Sequence, residues 1–471
     1  MMKRTFFCLI PCLLWGVTSE PTNALAQSSL TTPAAETSAT VPVNSTSLSL
    51  EQALKTVLER NPNLTRARLL TLAYQIDAAR ARLDRFTARV DVSLGDTASV
   101  GYQLGAAEGA NDDPFSNALE YGIGASASVP LFTGGADAAN IALSDAVTRS
   151  SEVDEALLQR DLIRAAYQAY ASIQSYELRL AAARESLQKS TEALTIIKAK
   201  AGAGLSAPIE VNRSQVTVVS QEQSLLELEN NAYAARQDLL QLLQLEGERV
   251  SLGDDLTARP RLKVPEQPDR LIQTAYDQRL ELKTLTISKE QLELQRKIAQ
   301  ADYLPRVSAE FSAQAGAQPS WINETTFENA QREPGILLSS GLSVQWNLFN
   351  LGKTGDAVRK LELSLKQIEA QEQLQRSELA QAVKKAHQLV LSLQRREAGV
   401  NQQLELSRDN LNIIQTLYGQ GSATLLDLFE AQDSYRSALN QAATFRVQLA
   451  LAELELRWQL GDDLLSTAST R

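Results

Sequence analysis

Histidine, cysteine and methionine are nearly missing from this sequence of 471 residues, which has one His, two Cys and two Met. The cysteines are Cys8 and Cys12, the methionines Met1 and Met2, and the histidine is His387. Lys3 and Arg4, an apolar run from Thr5 to Val17, and Ala24-Leu25-Ala26 before Gln27 have the three-part form of a secretory signal peptide over residues 1–26. The run is too short to span a bilayer as a helix. Leu9-Ile10-Pro11 ahead of Cys12 lacks the small residues expected before a lipidated cysteine, so an unacylated mature start at Gln27 is expected. Such cleavage removes every Cys and Met. That excludes disulfides, zinc fingers, thiolate catalysis and Cys/His metal clusters. A hydrolytic triad would have His387 as its only imidazole, and no metal or cofactor is expected.

Aromatics are scarce at 5%, and glycine contributes 22 residues. Ala, Leu, Gln and Glu recur instead with helical period, which points to long helices rather than a compact mixed core. Basic charge is also short, with 46 Lys+Arg against 56 Asp+Glu. Loss of Lys3, Arg4 and Glu20 moves the net charge from −10 to −11. An acidic exported chain is a poor nucleic-acid binder, and no nucleic-acid partner is expected. No apolar run after the signal peptide is long enough for a transmembrane helix.

Residues 27–47 are rich in Ser, Thr, Pro and Ala and read as a flexible leader. Ser49 and Gln52 fit a capping box opening a helix that Asn61-Pro62 interrupts and that resumes to about Arg85. The period then becomes two. Val90, Val92, Leu94, Ala98, Val100 and Tyr102 alternate with polar or small residues, as do Tyr121, Ile123, Ala125, Ala127, Val129 and Leu131. A polar loop, 105–117, joins them. Ala136 to Ala201 holds no Gly or Pro and reads as one helix of roughly 100 Å. Gly202-Ala203-Gly204 ends it, and a second helix runs from Pro208 to about Leu245.

Residues 247–268, with Pro260, Pro265 and Pro268, read as a linker. The order then repeats: a helix over 271–301, strands at about 305–316 and 336–349, and a long helix from Lys353 to Tyr418. One constant shift in numbering superposes the two halves: Arg89 falls on Arg306, Phe132 on Phe349, Gly135 on Gly352, Ile197 on Ile414, Gly204 on Gly421 and Gln215 on Gln432. The chain is therefore a duplicated helix–hairpin–long helix–helix unit, the first over 48–246, the second over 269–462, with a tail at 463–471.

Two amphipathic hairpins give four strands of membrane-crossing length. Four strands cannot close a barrel, and open edges cannot sit in lipid, so further copies of the chain must pair them. Phe86, Phe132, Tyr303, Trp346 and Phe349 at one end, with Tyr102, Tyr121 and Trp321 towards the other, fit two aromatic girdles. A soluble sandwich would alternate similarly. Val358, Leu361, Leu365, Ile368, Leu379, Ala382, Ala386, Leu389 and Leu393 keep a heptad seam, with a polar lapse at Glu372 and Gln375.

Signal peptide, duplication, hairpins feeding long helices, Val129-Pro130-Leu131-Phe132-Thr133-Gly134-Gly135, and Tyr418-Gly419-Gln420-Gly421 followed by Asp427 together resemble the TolC family of outer-membrane efflux proteins. The resemblance spans about Leu48 to Asp462. It implies a homotrimer whose 12-stranded β-barrel in outer-membrane lipid is continuous with a periplasmic α-helical barrel. It also implies a passive exit channel for efflux or type I secretion, recruited by an inner-membrane pump and a periplasmic adaptor protein. The other classes weighed are a non-conducting coiled-coil envelope protein and an envelope enzyme.

The same resemblance assigns roles. Asp427 and Glu430 would line the closed entrance as acidic rings, of the kind cation-selective pores use. Read alone, two acids one turn apart are a solvated helix face. Tyr418 and Glu210 would latch the closed helix ends, although Ala423 stands where some members place an arginine of that latch. Ala203-Gly204-Leu205 and Gln420-Gly421-Ser422 would be docking tips for the adaptor. Gly202, Gly204, Gly419 and Gly421 permit positive φ there. His387 has no second ligand nearby and reads as a wall or surface residue.

Overall fold

The computed structural model describes residues 45–84, 86–100, 115–245, 249–258, 261–265, 267–317 and 335–462. The signal peptide, most of the leader, Tyr102, Trp321 and the tail lie outside them. Strand β1 (Ser45–Leu48) leads into helix α1 (Leu50–Arg60). Ser49 and Gln52 form both capping-box bonds, Gln52 N to the Ser49 hydroxyl at 3.2 Å and Ser49 N to Gln52 Oε1 at 2.9 Å. Asn61 then breaks the helix, its side chain accepting from Asn63 N, and Pro62 opens α2 (Pro62–Leu83) where a missing N–H costs nothing.

The second unit repeats this break without proline. The single helix expected over 271–301 is two, α5 (Asp269–Gln278) and α6 (Leu280–Ala301). Arg279 between them has φ −68° and ψ 124°, close to the −70° and 120° of Asn61. A tertiary contact holds it there: its guanidinium donates to the Trp458 carbonyl at 2.9 Å and pairs with Glu281 at 2.7 Å. The duplication is not quite exact at this point. Helices α3 (Ala136–Gly202) and α7 (Lys353–Gln420) start in register under the constant shift, whereas α6 starts one position late relative to α2. From the helix end to the matching arginines, Arg89 and Arg306, the second unit has one residue fewer, which restores the register.

The segment expected as a linker carries strand β4 (Arg249–Leu252), and the end of the expected leader carries β1. The two pair in parallel, Ser45 opposite Arg249 and Leu48 opposite Leu252. Tyr170 of α3 seals the pair, its hydroxyl accepting from Asp254 N at 2.9 Å. Leu50, Leu54, Ile173, Leu239, Leu243 and Leu256 form the main core around it. The onward stretch of chain is strapped to α7: Gln394 donates to Leu262 O at 3.0 Å, and His387 Nε2 lies 2.6 Å from Pro265 O. His387 is thus buried as a donor to a carbonyl, not a surface residue. On the same helix Val390 takes the core position expected for Leu389, which is exposed.

Strands β2 (Thr87–Val100), β3 (Phe115–Phe132), β5 (Arg306–Ala317) and β6 (Gly335–Gln345) form one antiparallel sheet in that order. Pro130 cannot donate to the ladder, and the β3–β5 register shifts between Pro130 and Phe132. β6 stops short of the expected residue 349. The Trp346 indole turns aside to donate to Tyr303 O at 3.1 Å, and Leu351 and Gly352, with φ of 56° and 81°, turn the chain into α7.

Register puts Val90, Ala125, Ala313 and Leu338 in one row, and Arg89, Ser126, Ser312 and Ser339 in the next. One face is therefore apolar and the other polar. Among the described residues the apolar face has no second layer: Val92, Ile336 and Leu342 are 80%, 77% and 72% exposed. A soluble sandwich would bury that face, whereas a lipid-facing sheet must present it. Phe86, Phe132, Tyr303, Trp346 and Phe349 are exposed together at the end nearest the helices.

Packing orders the helices as a wall. Near the sheet the sequence is α2–α3–α6–α7, and farther away it is α4 (Pro208–Leu243)–α3–α8 (Leu425–Leu460)–α7. The first unit supplies one edge (β2, α2, α4) and the second unit the other (β6, α7). Both edge faces carry unpartnered apolar side chains: Leu69, Ile76 and Leu83, at heptad spacing on α2, and Leu363, Leu374, Leu406 and Ile413 on α7. No described helix is long and apolar enough to cross a membrane.

Candidate functional site: the helix tips

The two helix-to-helix turns farthest from the sheet are copies of one device. Leu205 N bonds Lys200 O at 2.9 Å, and at the equivalent positions of the second unit Ser422 N bonds Leu417 O at 2.8 Å. In each turn only the second glycine takes the left-handed region, Gly204 at φ 72° and Gly421 at 79°. Gly202 and Gly419 lie within α3 and α7, so the expectation of positive φ at all four is corrected. Ala203, Gly204, Leu205, Gln420, Gly421 and Ser422 are all exposed. So are Ile209 and Leu426, an equivalent pair at the second position of α4 and α8 that the sequence pattern does not single out.

The structure brings Tyr418 and Glu210 together. The phenol donates to Glu210 Oε2 at 3.2 Å, and the Ser206 hydroxyl donates to the same oxygen. Tyr418 is 3% exposed, and burial pushes its hydroxyl above the ordinary phenol range. A further contact has no sequence signal. Lys200, at the end of α3, places its ammonium 4.4 Å from the Tyr418 ring centroid and donates to Tyr418 O at 2.5 Å. A cation there meets the carbonyl end of α7, where the helix dipole is negative, and the negative face of the ring. Two groups from the α3–α4 hairpin, Glu210 and Lys200, thus grip one residue of α7, and Ser206 braces the glutamate.

Asp427 and Glu430 are both exposed on α8. Asp427 is also the partner in a capping box with Thr424: Thr424 N and Oγ1 donate to Asp427 Oδ2 at 2.8 and 2.7 Å, and Asp427 N donates to Thr424 Oγ1 at 3.2 Å. Those bonds hold its carboxyl below the usual carboxylate range, the Thr424 hydroxyl contributing most. Under the repeat, Asp427 corresponds to Glu210, and Glu430 to Arg213. One tip therefore presents two acids and the other an acid and a base. At the Asp427 position both tips are acidic, and at the Glu430 position only one is. Among the described residues no group of three or more His, Cys, Asp or Glu could hold a metal ion.

The sequence profile of outer membrane efflux proteins matches residues 53–244 and 271–462, one segment in each unit. A search of curated proteins finds no match. Among solved structures, the outer-membrane channel OprN is 22% identical with a TM-score of 0.71, covering 88% of this chain and 90% of its own. CusC is 15% identical, with a TM-score of 0.74 over 88% of this chain and 92% of its own. The Neisseria gonorrhoeae MtrE channel, solved in an open state, is 18% identical, with a TM-score of 0.69 over 88% and 89%. At these identities the solved structures speak for the fold, and the profile, which spans most of the chain, speaks for the family. The chain belongs to the outer membrane efflux protein family.

Proposed function

We propose that three copies assemble head to tail into the exit duct of a tripartite efflux or type I secretion system. The observation that carries this is the split of the wall into unlike edges. β6 and α7 of one copy face β2, α2 and α4 of the next, and repetition of such an unlike junction gives a ring. Three copies supply twelve strands. The apolar faces then meet lipid, and the polar rows of Arg89, Asp91, Ser126, Glu310 and Ser312 face the lumen. The duct itself performs no chemistry, and energy comes from an inner-membrane pump reached through a periplasmic adaptor. The exposed tips, with Leu205, Ile209 and Leu426, are the surface that adaptor would meet.

Asp427 and Glu430 line the entrance in this reading, and Tyr418 with Glu210 keeps it shut. Light scattering of the detergent-solubilised protein should give three chains, and planar bilayers should show conductance. A monodisperse monomer, or a trimer without conductance, overturns the duct.

A further inference from the structure

The tip grip is not the only tyrosine–glutamate contact joining the two hairpins. Tyr435 of α8 donates to Glu185 of α3, and Arg408 of α7 donates to the same phenol at 3.3 Å and to Glu185 at 3.4 Å. The Arg408 guanidinium lies 5.9 Å from the Tyr435 ring centroid. The composition repeats that of the tip: a phenol, a glutamate and a base over the ring. Glu185 stands several helical turns before Lys200 on α3, and Arg408 several turns before Tyr418 on α7. At the rise of an α-helix, the second contact therefore lies roughly 15–22 Å farther from the tip. The two form rungs of one ladder.

The rungs differ in what it takes to break them. Tyr418 and Lys200 sit at helix ends beside exposed turns, and Glu210 is in the first turn of α4. Parting that rung needs only the last turns to swing. Tyr435 is 1% exposed, and Glu185, Arg408 and Tyr435 all lie in mid-helix. Parting the second rung would bend three continuous helices. Arg408 also braces it with two separate nitrogens, which a lysine cannot do. Between the rungs α3 turns Ser186, Ser190 and Ala193 inward, and nearer the tip Ile197 joins Leu411, Leu425 and Leu428 in an apolar cluster that also holds Tyr418 and Tyr435. Opening of the lower segment has to part that cluster along with the Tyr418 rung, while the segment above the upper rung is packed separately on Ile163, Tyr170 and Ile173.

We propose that Tyr435, held by Glu185 and Arg408, is a positioning residue that stops opening at its own level, so that only the segment between it and the tip moves when the Tyr418 rung parts. The proposal rests on the tips being the entrance.

Hydrogen exchange on the intact assembly in detergent tests it, using wild type, Tyr418→Phe, Tyr435→Phe and the double variant. Losing a hydrogen bond to a carboxylate corresponds to roughly tenfold or more in a local opening equilibrium. Tyr418→Phe should therefore speed exchange about tenfold over 193–211 and 411–431 and leave 170–182 and 395–405 at wild-type rates. The double variant should carry the faster exchange upward into those two segments. Equal acceleration above and below Tyr435 in Tyr418→Phe alone overturns the proposal, as does a double variant no different from Tyr418→Phe. Tyr435→Phe alone should change little at the tip, and tip acceleration matching Tyr418→Phe makes Tyr435 a second gate instead. Bilayer conductance of the same four proteins is a separate readout. Its absence throughout sinks the duct and leaves the exchange result standing.

Discussion

Tyr418 and Glu210 are 208 residues apart in the chain and 3.2 Å apart in space. The bond joins the end of the second long helix to the start of the shorter helix of the first unit, so it reports directly on whether the hairpins are together. Tyr418→Phe with Glu210→Gln removes a charge-assisted bond that contributes about 1–3 kcal/mol. Single-channel conductance in planar bilayers should rise severalfold. Because burial raises the phenol above its ordinary range, it keeps its proton through mildly alkaline pH, and the conductance of the wild type should not step between neutral pH and about 9 for this reason. Unchanged conductance in the double variant would assign the pair to packing alone.

Asp427 has two duties that substitution can separate. Its carboxyl is held low by Thr424, so the capping contribution is full above the unfolded-state value and is lost only as pH falls through the lower folded one. Thr424→Ala frees the carboxyl while leaving its charge. It should weaken the start of α8 and move the acid loss of cation selectivity to higher pH. Asp427→Asn with Glu430→Gln removes the charges and should lower cation selectivity at all pH values above that range, with the difference shrinking at high salt. If reversal potentials in asymmetric salt are the same before and after neutralisation, the two acids do not border the conduction path.

The Trp458 end of α8 should be the most mutation-sensitive ion-pair site. Arg164 and Arg279 stack 4.0 and 4.2 Å from the indole centroid, and Arg160 and Arg279 both donate to its carbonyl at 2.9 Å. Arg279 is 6% exposed, so Arg279→Ala strands Glu281 and vacates a stacked position. A loss of about 3–5 kcal/mol is expected. Arg149→Ala breaks an equally short but exposed pair with Glu290 at 2.7 Å and should cost no more than about 1 kcal/mol. Heat-dissociation temperatures of the two variants should differ accordingly, and similar temperatures would refute the assignment.

Gly134 and Gly135, at the entry to α3, should respond unequally to alanine. Both have positive φ, 64° and 89°. A Cβ on Gly134 would also meet Ala301 O and Leu304 Cβ at 3.1 Å, whereas one on Gly135 meets nothing within 4 Å. Gly135→Ala should cost about 1–2 kcal/mol from backbone strain alone, and Gly134→Ala clearly more. Yield of assembled protein and its heat stability would rank them.

What can be read from sequence follows from how local each cause is. The strands are legible because one face is apolar and the other polar, which writes period two into Val90, Val92 and Ile123. The break at Asn61-Pro62 is legible because proline acts on its own backbone. The matching break at Arg279 is hidden, since the group that fixes it, the Trp458 carbonyl, is 179 residues away. β1 and β4 are invisible for a similar reason: strands this short, pairing across the whole length of the first unit, leave no pattern in either. At the tips, Tyr418 and Glu210 come from family likeness, and their contact is present. Lys200 has no signal, because a lysine near a helix end is ordinary. Thr424 does have one, since Thr424-Leu425-Leu426-Asp427 has capping-box spacing, but a reading of the acids for charge alone misses it.

The order β2-β3-β5-β6 has an implication for how such a chain is divided. Inside one copy, the second strand of the first unit lies beside the first strand of the second unit, β3 on β5. In the proposed ring, β6 on the next copy's β2 is again a second strand beside a first strand. The covalent junction and the intermolecular one are the same kind of joint, so the linker at 247–268 fuses what is otherwise a pseudo-hexamer of half-chains into three pieces. A cut between β4 and α5, which leaves β4 paired with β1, should then be tolerated better than its central position suggests, and the two halves, co-expressed, should reassemble. What fusion secures is the alternation itself: Tyr418 always finds Glu210 of its own chain, and an acidic tip is always followed by a mixed one.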